Sequence, residues 1–91
     1  MTMIALWLKI DEKHVVEALQ EAGEKLDTAE RKVVLDFSSV QRIDPRAVRG
    51  IEEFARLAGD KGVEVTLRGV NTDVYKVLKL LKLASLFSFV N

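Results

Sequence analysis

Residues Val33 to Gly50 read VVLDFSSVQRIDPRAVRG, and two kinds of structure meet inside them. Val33-Val34-Leu35-Asp36-Phe37 is a short, nearly continuous apolar run rich in β-branched residues. Such a run suits a strand covered on both faces, the usual state in a parallel sheet. Asp44-Pro45 then opens a helix. An aspartate oxygen accepts hydrogen bonds from the free amides of a first turn, and proline at the first helical position gives up no donor that the helix uses. Ala47, Val48, Ile51, Phe54, Ala55 and Ala58 form its apolar stripe, and Gly59 and Gly62 supply the stop. The link between strand and helix, Ser38 to Arg42, is polar, with Val40 and Ile43 pointing inward.

Working outward, Met3 to Ile10 alternates weakly and is rich in Ile, Leu and Trp, which predicts a strand. From Lys13, the positions Val15, Ala18, Leu19, Ala22 and Leu26 make one stripe of an amphipathic helix, with Asp11 as its cap. The charged segment Asp27 to Lys32 reads as a loop. On the other side, Val63 to Arg68 alternates as a strand with one wet face would. Gly69 to Thr72 is the next turn, with Asn71 or Thr72 as cap and Asp73 well placed in the first turn of a helix over Val74 to Leu83. Leu86 to Val90 closes the chain as a short edge strand or docked tail.

The order β-α-β-α-β-α-β predicts an α/β fold: a small mixed, partly parallel sheet with helices packed against it. Residues 1–91 are read as one domain, whose core is adequate but thin, since a chain of this length buries somewhat under ~70% of its unfolded surface.

Composition narrows the function. The formal net charge is zero, so each cation is matched by an acid and nucleic acid is excluded as the main ligand. Without cysteine there are no disulfides, and no Cys/His cluster offers a metal site. The N-terminal apolar run, Met3 to Leu8, is too short for a signal peptide or a membrane span. The expectation is a cytoplasmic, bacterial-type regulatory or accessory module that is not membrane-spanning.

Catalytic readings fail on inventory. Five glycines are scattered at 23, 50, 59, 62 and 69, so no phosphate-cradling loop exists. The single histidine, His14, reads as an exposed helix residue, because a general base needs a positioned partner. Asp36 and Asp44 flank the polar link; they could work as a carboxylate pair or hold a divalent cation, but helix capping and loop hydrogen bonds explain them more simply. Ser38 and Ser39 lack a nucleophile-elbow context. No enzyme activity and no cofactor are expected. In the last helix Val74, Val77, Leu78 and Leu81 suffice to meet the core. Tyr75, Leu80, Leu83 and Leu86 widen the apolar arc, with Lys76, Lys79 and Lys82 opposite. Either the extra leucines cover the terminal strand, or the helix meets a partner or a membrane surface.

The run from Val33 to Phe87 resembles a STAS domain, the fold of bacterial anti-sigma factor antagonists that is also found in sulfate transporters. The resemblance rests on an ordered frame: the apolar strand Val33 to Phe37 with its Asp36, the Ile43-Asp44 step into a helix, the strand reaching Val70-Asn71, and the closing Leu83 to Val90. Met1 to Leu26 fits the family's opening strand and helix only loosely. In the family, a serine or threonine just after the aspartate is phosphorylated by a partner kinase, which is also the anti-sigma factor, and this blocks binding. Pro45-Arg46 stands there, and Ala47 and Arg49 replace the usual glycines. The resemblance therefore implies a non-catalytic protein-binding module without that phosphorylation switch.

Arg46 adds a cation at a helix N-terminus, which costs ~0.3–1 kcal/mol when exposed. Together with Arg42 and Arg49 it forms a basic patch suited to a partner's carboxylates or a phosphate-like anion, unless Glu52 and Glu53 simply neutralise Arg49. The predicted partner surface is Ser38, Ser39, Arg42, Asp44, Pro45, Arg46 and Arg49. Its partner would be an anti-sigma factor or kinase-like ATPase. Alternatives are the ATPase of an ABC-type phospholipid transport system, with this chain as accessory subunit, and an anion or nucleotide, with this chain as a sensor. A homodimer is compatible with the same sequence.

Overall fold

The computed structural model describes residues 6–26 and 31–90. In chain order it has β1 (Leu6–Lys9), a 3-10 turn (Glu12–His14), α1 (Val15–Lys25), β2 (Lys32–Asp36), α2 (Pro45–Asp60), β3 (Glu64–Arg68), α3 (Thr72–Leu80), a second 3-10 turn (Ala84–Leu86) and β4 (Ser88–Val90). Met3 to Ala5 of the expected first strand and residues 27–30 of the expected loop lie outside the described residues, and Lys32 already belongs to β2.

The strands form one sheet in the order β1-β2-β3-β4, and every pairing is parallel among the described residues. The expected partly parallel sheet is thus parallel throughout this region, as strand–helix–strand repetition favours. Successive crossovers of one hand carry the helices to one face. There Val33, Leu35, Val65 and Leu67 of the sheet meet Val15, Leu19 and Ala22 of α1, Ala47, Ile51, Phe54 and Ala58 of α2, and Val74 and Leu78 of α3 in one core. The two longer helices lie close together: a Cβ on Gly23 would sit 3.2 Å from Leu57 Cδ2, and one on Gly50 3.3 Å from Leu19 Cδ1. No described helix is long and apolar enough to cross a membrane.

The opposite face carries Trp7, Val34, Thr66 and Ser88 in one row and Lys9, Asp36, Arg68 and Val90 in the next. Arg68 reaches across β2, and its guanidinium carbon stands 5.8 Å from the centroid of the Trp7 ring. This cation–π pair spans the strand that carries Val34, which is buried although it points away from the helices. Thr66, expected on a wet face, is buried as well. β3 is an interior strand, so Thr66 is flanked in its row by Val34 on one side and Ser88 on the other.

Two helices end alike. At the end of α2, Val63 N–H donates to Ala58 O (2.8 Å) and Gly62 N–H to Gly59 O (3.2 Å). At the end of α3, Leu83 N–H donates to Leu78 O (2.8 Å) and Lys82 N–H to Lys79 O (3.1 Å). Both are Schellman motifs, whose pivot takes a left-handed conformation. Gly62 fills the first pivot at φ +70°, whereas Lys82 fills the second at φ +62°. Gly59, the other expected stop, lies inside α2.

Candidate functional site

All strands run one way, so the β2–α2 loop emerges at the carboxyl end of the sheet. It starts with a tight turn, in which Phe37 N–H bonds to Arg68 O (2.8 Å) and Val40 N–H to Phe37 O (2.9 Å). Phe37 and Val40 are buried, and Ile43 packs against the core, so the loop hangs on three apolar anchors.

Its polar backbone is satisfied by side chains from four directions. Asp36 Oδ1 accepts from Ser38 N–H at 2.9 Å. Glu12, 29 and 30 residues upstream, accepts with one carboxylate oxygen from both Gln41 N–H (2.5 Å) and Arg42 N–H (3.1 Å). Asn71 donates through Nδ2 to Gln41 O at 3.1 Å while its Oδ1 caps α3 through Val74 N–H at 2.8 Å. Asp44 Oδ1 accepts from Ala47 N–H at 2.8 Å and caps α2, with Pro45 in the first turn. Gly69, at φ +73°, closes the arrangement from β3: a Cβ there would lie 2.9 Å from Ser38 Cβ and 3.1 Å from Ser38 Cα.

The carboxyl of Asp36 is held below the usual carboxylate range, first by the Ser38 hydroxyl and amide, against burial, which raises it, and with lesser help from Arg68 and then Lys9. Arg68 Nη1 stands 3.8 Å from Asp36 Oδ2. Asp36 and Asp44 each have their own structural partners, and no group of three or more potential ligand residues converges on a metal site among the described residues.

Of the predicted surface residues, Ser38, Ser39, Arg42, Asp44, Pro45, Arg46 and Arg49 are all exposed. Arg42, Asp44 and Arg46 gather around one shallow hollow with Glu12 and Lys13 of the first 3-10 turn and Glu17 of α1. Arg49 lies one turn further along and borders a separate groove on the outer side of α2, which Arg46 also reaches. Ser38 and Ser39 stand apart from the hollow, with Ser38 packed against Gly69. None of the three arginines forms an ion pair with a described residue, so Glu52 and Glu53 do not neutralise Arg49 by direct contact. The sheet order never reverses, so it has no topological switch point, the place where open α/β sheets form a ligand crevice. The carboxyl end of the sheet therefore offers a braced surface with a shallow hollow rather than a crevice. Glu12, Asn71 and Gly69 define it as much as the loop does; of these, Gly69 was legible as a turn residue and Asn71 as a helix cap, but Glu12 was not.

This chain belongs to the STAS domain family: the model described as "Mlab, STAS domain" matches residues 8–88. Among solved structures, the Thermotoga maritima protein TM1081, determined by NMR, is similar with a TM-score of 0.79 at 19% identity, covering 100% of this chain and 77% of that one. Its crystal structure, described as a putative anti-sigma factor antagonist, gives 0.78 at 18% identity, covering 99% of this chain and 83% of that one. The anti-sigma factor antagonist SpoIIAA in its unphosphorylated form gives 0.69 at 15% identity, covering 96% and 76%. The phosphorylated form, described as a Bacillus cell fate determinant, gives 0.66 at 14% identity, covering 96% and 79%. These likenesses establish the fold. No curated protein sequence matches significantly.

Proposed function

We propose that this protein is a non-catalytic STAS-type regulatory module that docks a protein partner through the β2–α2 loop and the first turns of α2. The observation that carries the reading is the bracing of that loop. Glu12, Asp36 and Asn71 satisfy its backbone from within the chain, and Arg42, Arg46 and Arg49 remain exposed without ion pairs among the described residues. A pre-ordered surface loses less conformational entropy on binding, and unpaired guanidiniums suit carboxylates on a partner. Glu12, Glu17 and Asp44 share the hollow with Arg42 and Arg46, which weighs against a free nucleotide or inorganic anion there. With Pro45 and Arg46 at the start of α2 there is no hydroxyl at those two positions, so binding through this turn is constitutive with respect to them.

The partner in this reading is an anti-sigma factor or a kinase-like ATPase. A second reading is an accessory subunit on the ATPase of a phospholipid transport system; the matching family model carries the description "Mlab, STAS domain". Both use the same surface. In a pull-down from the source cell, Arg46→Glu is expected to recover the specific partner about tenfold less than wild type. Equal recovery of the same proteins by both baits would show that the α2 turn is not the docking surface.

A further inference from the structure

The apolar arc of α3 resolves into two parts. Val74, Leu78 and Leu83 are buried, whereas Leu80 is 82% exposed, Leu81 50% and Leu86, one 3-10 turn further on, 56%. The extra leucines therefore do not simply cover the terminal strand. Lys79 and Lys82 directly flank Leu80-Leu81, and Lys76 precedes Leu80 by four residues, on the same helical face. None of these lysines has an ion-pair partner among the described residues, and the one carboxylate of α3, Asp73, sits in its first turn. Lys82 is also held at φ +62°, where glycine is the usual occupant. A cation is thus kept beside the leucines at a position of backbone strain.

We propose that the carboxyl end of α3 is a docking site for an anionic lipid surface, with Leu80 and Leu81 entering the interface and Lys76, Lys79 and Lys82 meeting the headgroups. Charge complementarity selects the lipid, because the lysines surround the apolar tip as they do on interfacial helices. Shape points the same way. A leucine that projects with four-fifths of its surface free needs a matching cavity in a protein partner, but a bilayer yields to any protrusion. Two inserted leucines and three lysines give weak, reversible attachment, comparable to the partition constant of about 10⁴ M⁻¹ of one myristoyl chain, which holds a protein stably only together with a second contact. α3 runs opposite to the strands, so this tip lies at the amino end of the sheet, away from the β2–α2 loop. A protein partner and a membrane can then be engaged together.

The test is co-sedimentation of the full chain with phosphatidylcholine vesicles containing no phosphatidylglycerol or 30% phosphatidylglycerol, a composition of about one anionic lipid in three. Binding is expected to the anionic vesicles alone and to fall as salt is raised. Lys79→Gln with Lys82→Gln should weaken it about 25-fold, at about fivefold per lysine. Leu80→Ala should weaken it about tenfold. Both variants change exposed side chains, and their circular dichroism should match wild type. No binding, equal binding to neutral vesicles, or indifference to both variants overturns the proposal. So does a dimer in sedimentation velocity that Leu80→Ala dissociates without any lipid binding, since the occupant is then a second copy.

Discussion

Replacing Gly69 by alanine places two penalties on one backbone position. Its φ of +73° costs a residue with a Cβ about 1–2 kcal/mol. The added Cβ would also stand 2.9 Å from Ser38 Cβ, 3.1 Å from Ser38 Cα and 3.2 Å from Ser38 N. Because two of these neighbours are main chain, the loop itself has to move, and overpacking of this kind costs about 1–3 kcal/mol. The stiffer unfolded chain returns about 0.4–1 kcal/mol. The net expectation is a loss of about 2–3 kcal/mol, or a fall in Tm of about 8–24 °C for a domain of this size. Gly62 is the control. Its φ is +70°, but nothing lies within 4 Å of its Cβ position, so Gly62→Ala should cost only about 1 kcal/mol. Urea unfolding can be followed by Trp7, the only tryptophan, which contacts Arg68 next to the mutated residue. If the two variants lose the same stability, the packing of Gly69 on Ser38 contributes nothing, and the bracing of the loop from β3 is wrong.

Two further outcomes follow from the helix end and from Asp36. Lys82→Gly should raise the urea midpoint, by about 0.5 kcal/mol of stability, because relief of left-handed strain outweighs the greater freedom of the unfolded glycine and the lost cation at a helix C-terminus; a lower midpoint would show that the lysine side chain does more for the fold than the strain costs. The folded pKa of Asp36 is depressed by Ser38 and Arg68, so its contribution is present above the ordinary carboxylate pKa of about 4 and is lost as pH falls through the lower folded value. The stability gap between wild type and Asp36→Asn should therefore hold from pH 4 to 7 (roughly the range above that pKa) and close below it; a gap independent of pH would mean that the carboxylate charge is irrelevant to the turn.

How far the sequence could be read depended on how local each interaction is. Asp44-Pro45 and Asn71 announce helix starts through side chains that bond three residues away, and both caps are found where the pattern puts them. The apolar run of β2 marks a strand buried on both faces because only apolar residues tolerate that position. Thr66 misled, since alternation in β3 signals a wet face only when the row beside it leaves that face open. The arginines that mark the candidate surface were legible by charge, but the hollow shared with Glu12 and Glu17 was not. No periodicity links Glu12 to Gln41, and that contact exists only because β1 and β2 pair in one particular register. Likewise, the pairing of Trp7 with Arg68 crosses an intervening strand and has no trace in either residue's neighbourhood.

The bracing of the β2–α2 loop also sets the time at which it takes shape. Its geometry depends on Glu12 from the first turn, Gly69 at the end of β3 and Asn71 at the start of α3, and Gly69 N–H is itself held by Val90 O on the last strand at 3.0 Å. Val90 must leave the ribosome before the last of these contacts can form. A nascent or truncated chain that already contains the entire loop and α2 would present the right side chains on an unshaped backbone. The loop is in this way among the last parts of the domain to reach its final shape as the chain is made, although its own residues are synthesised midway.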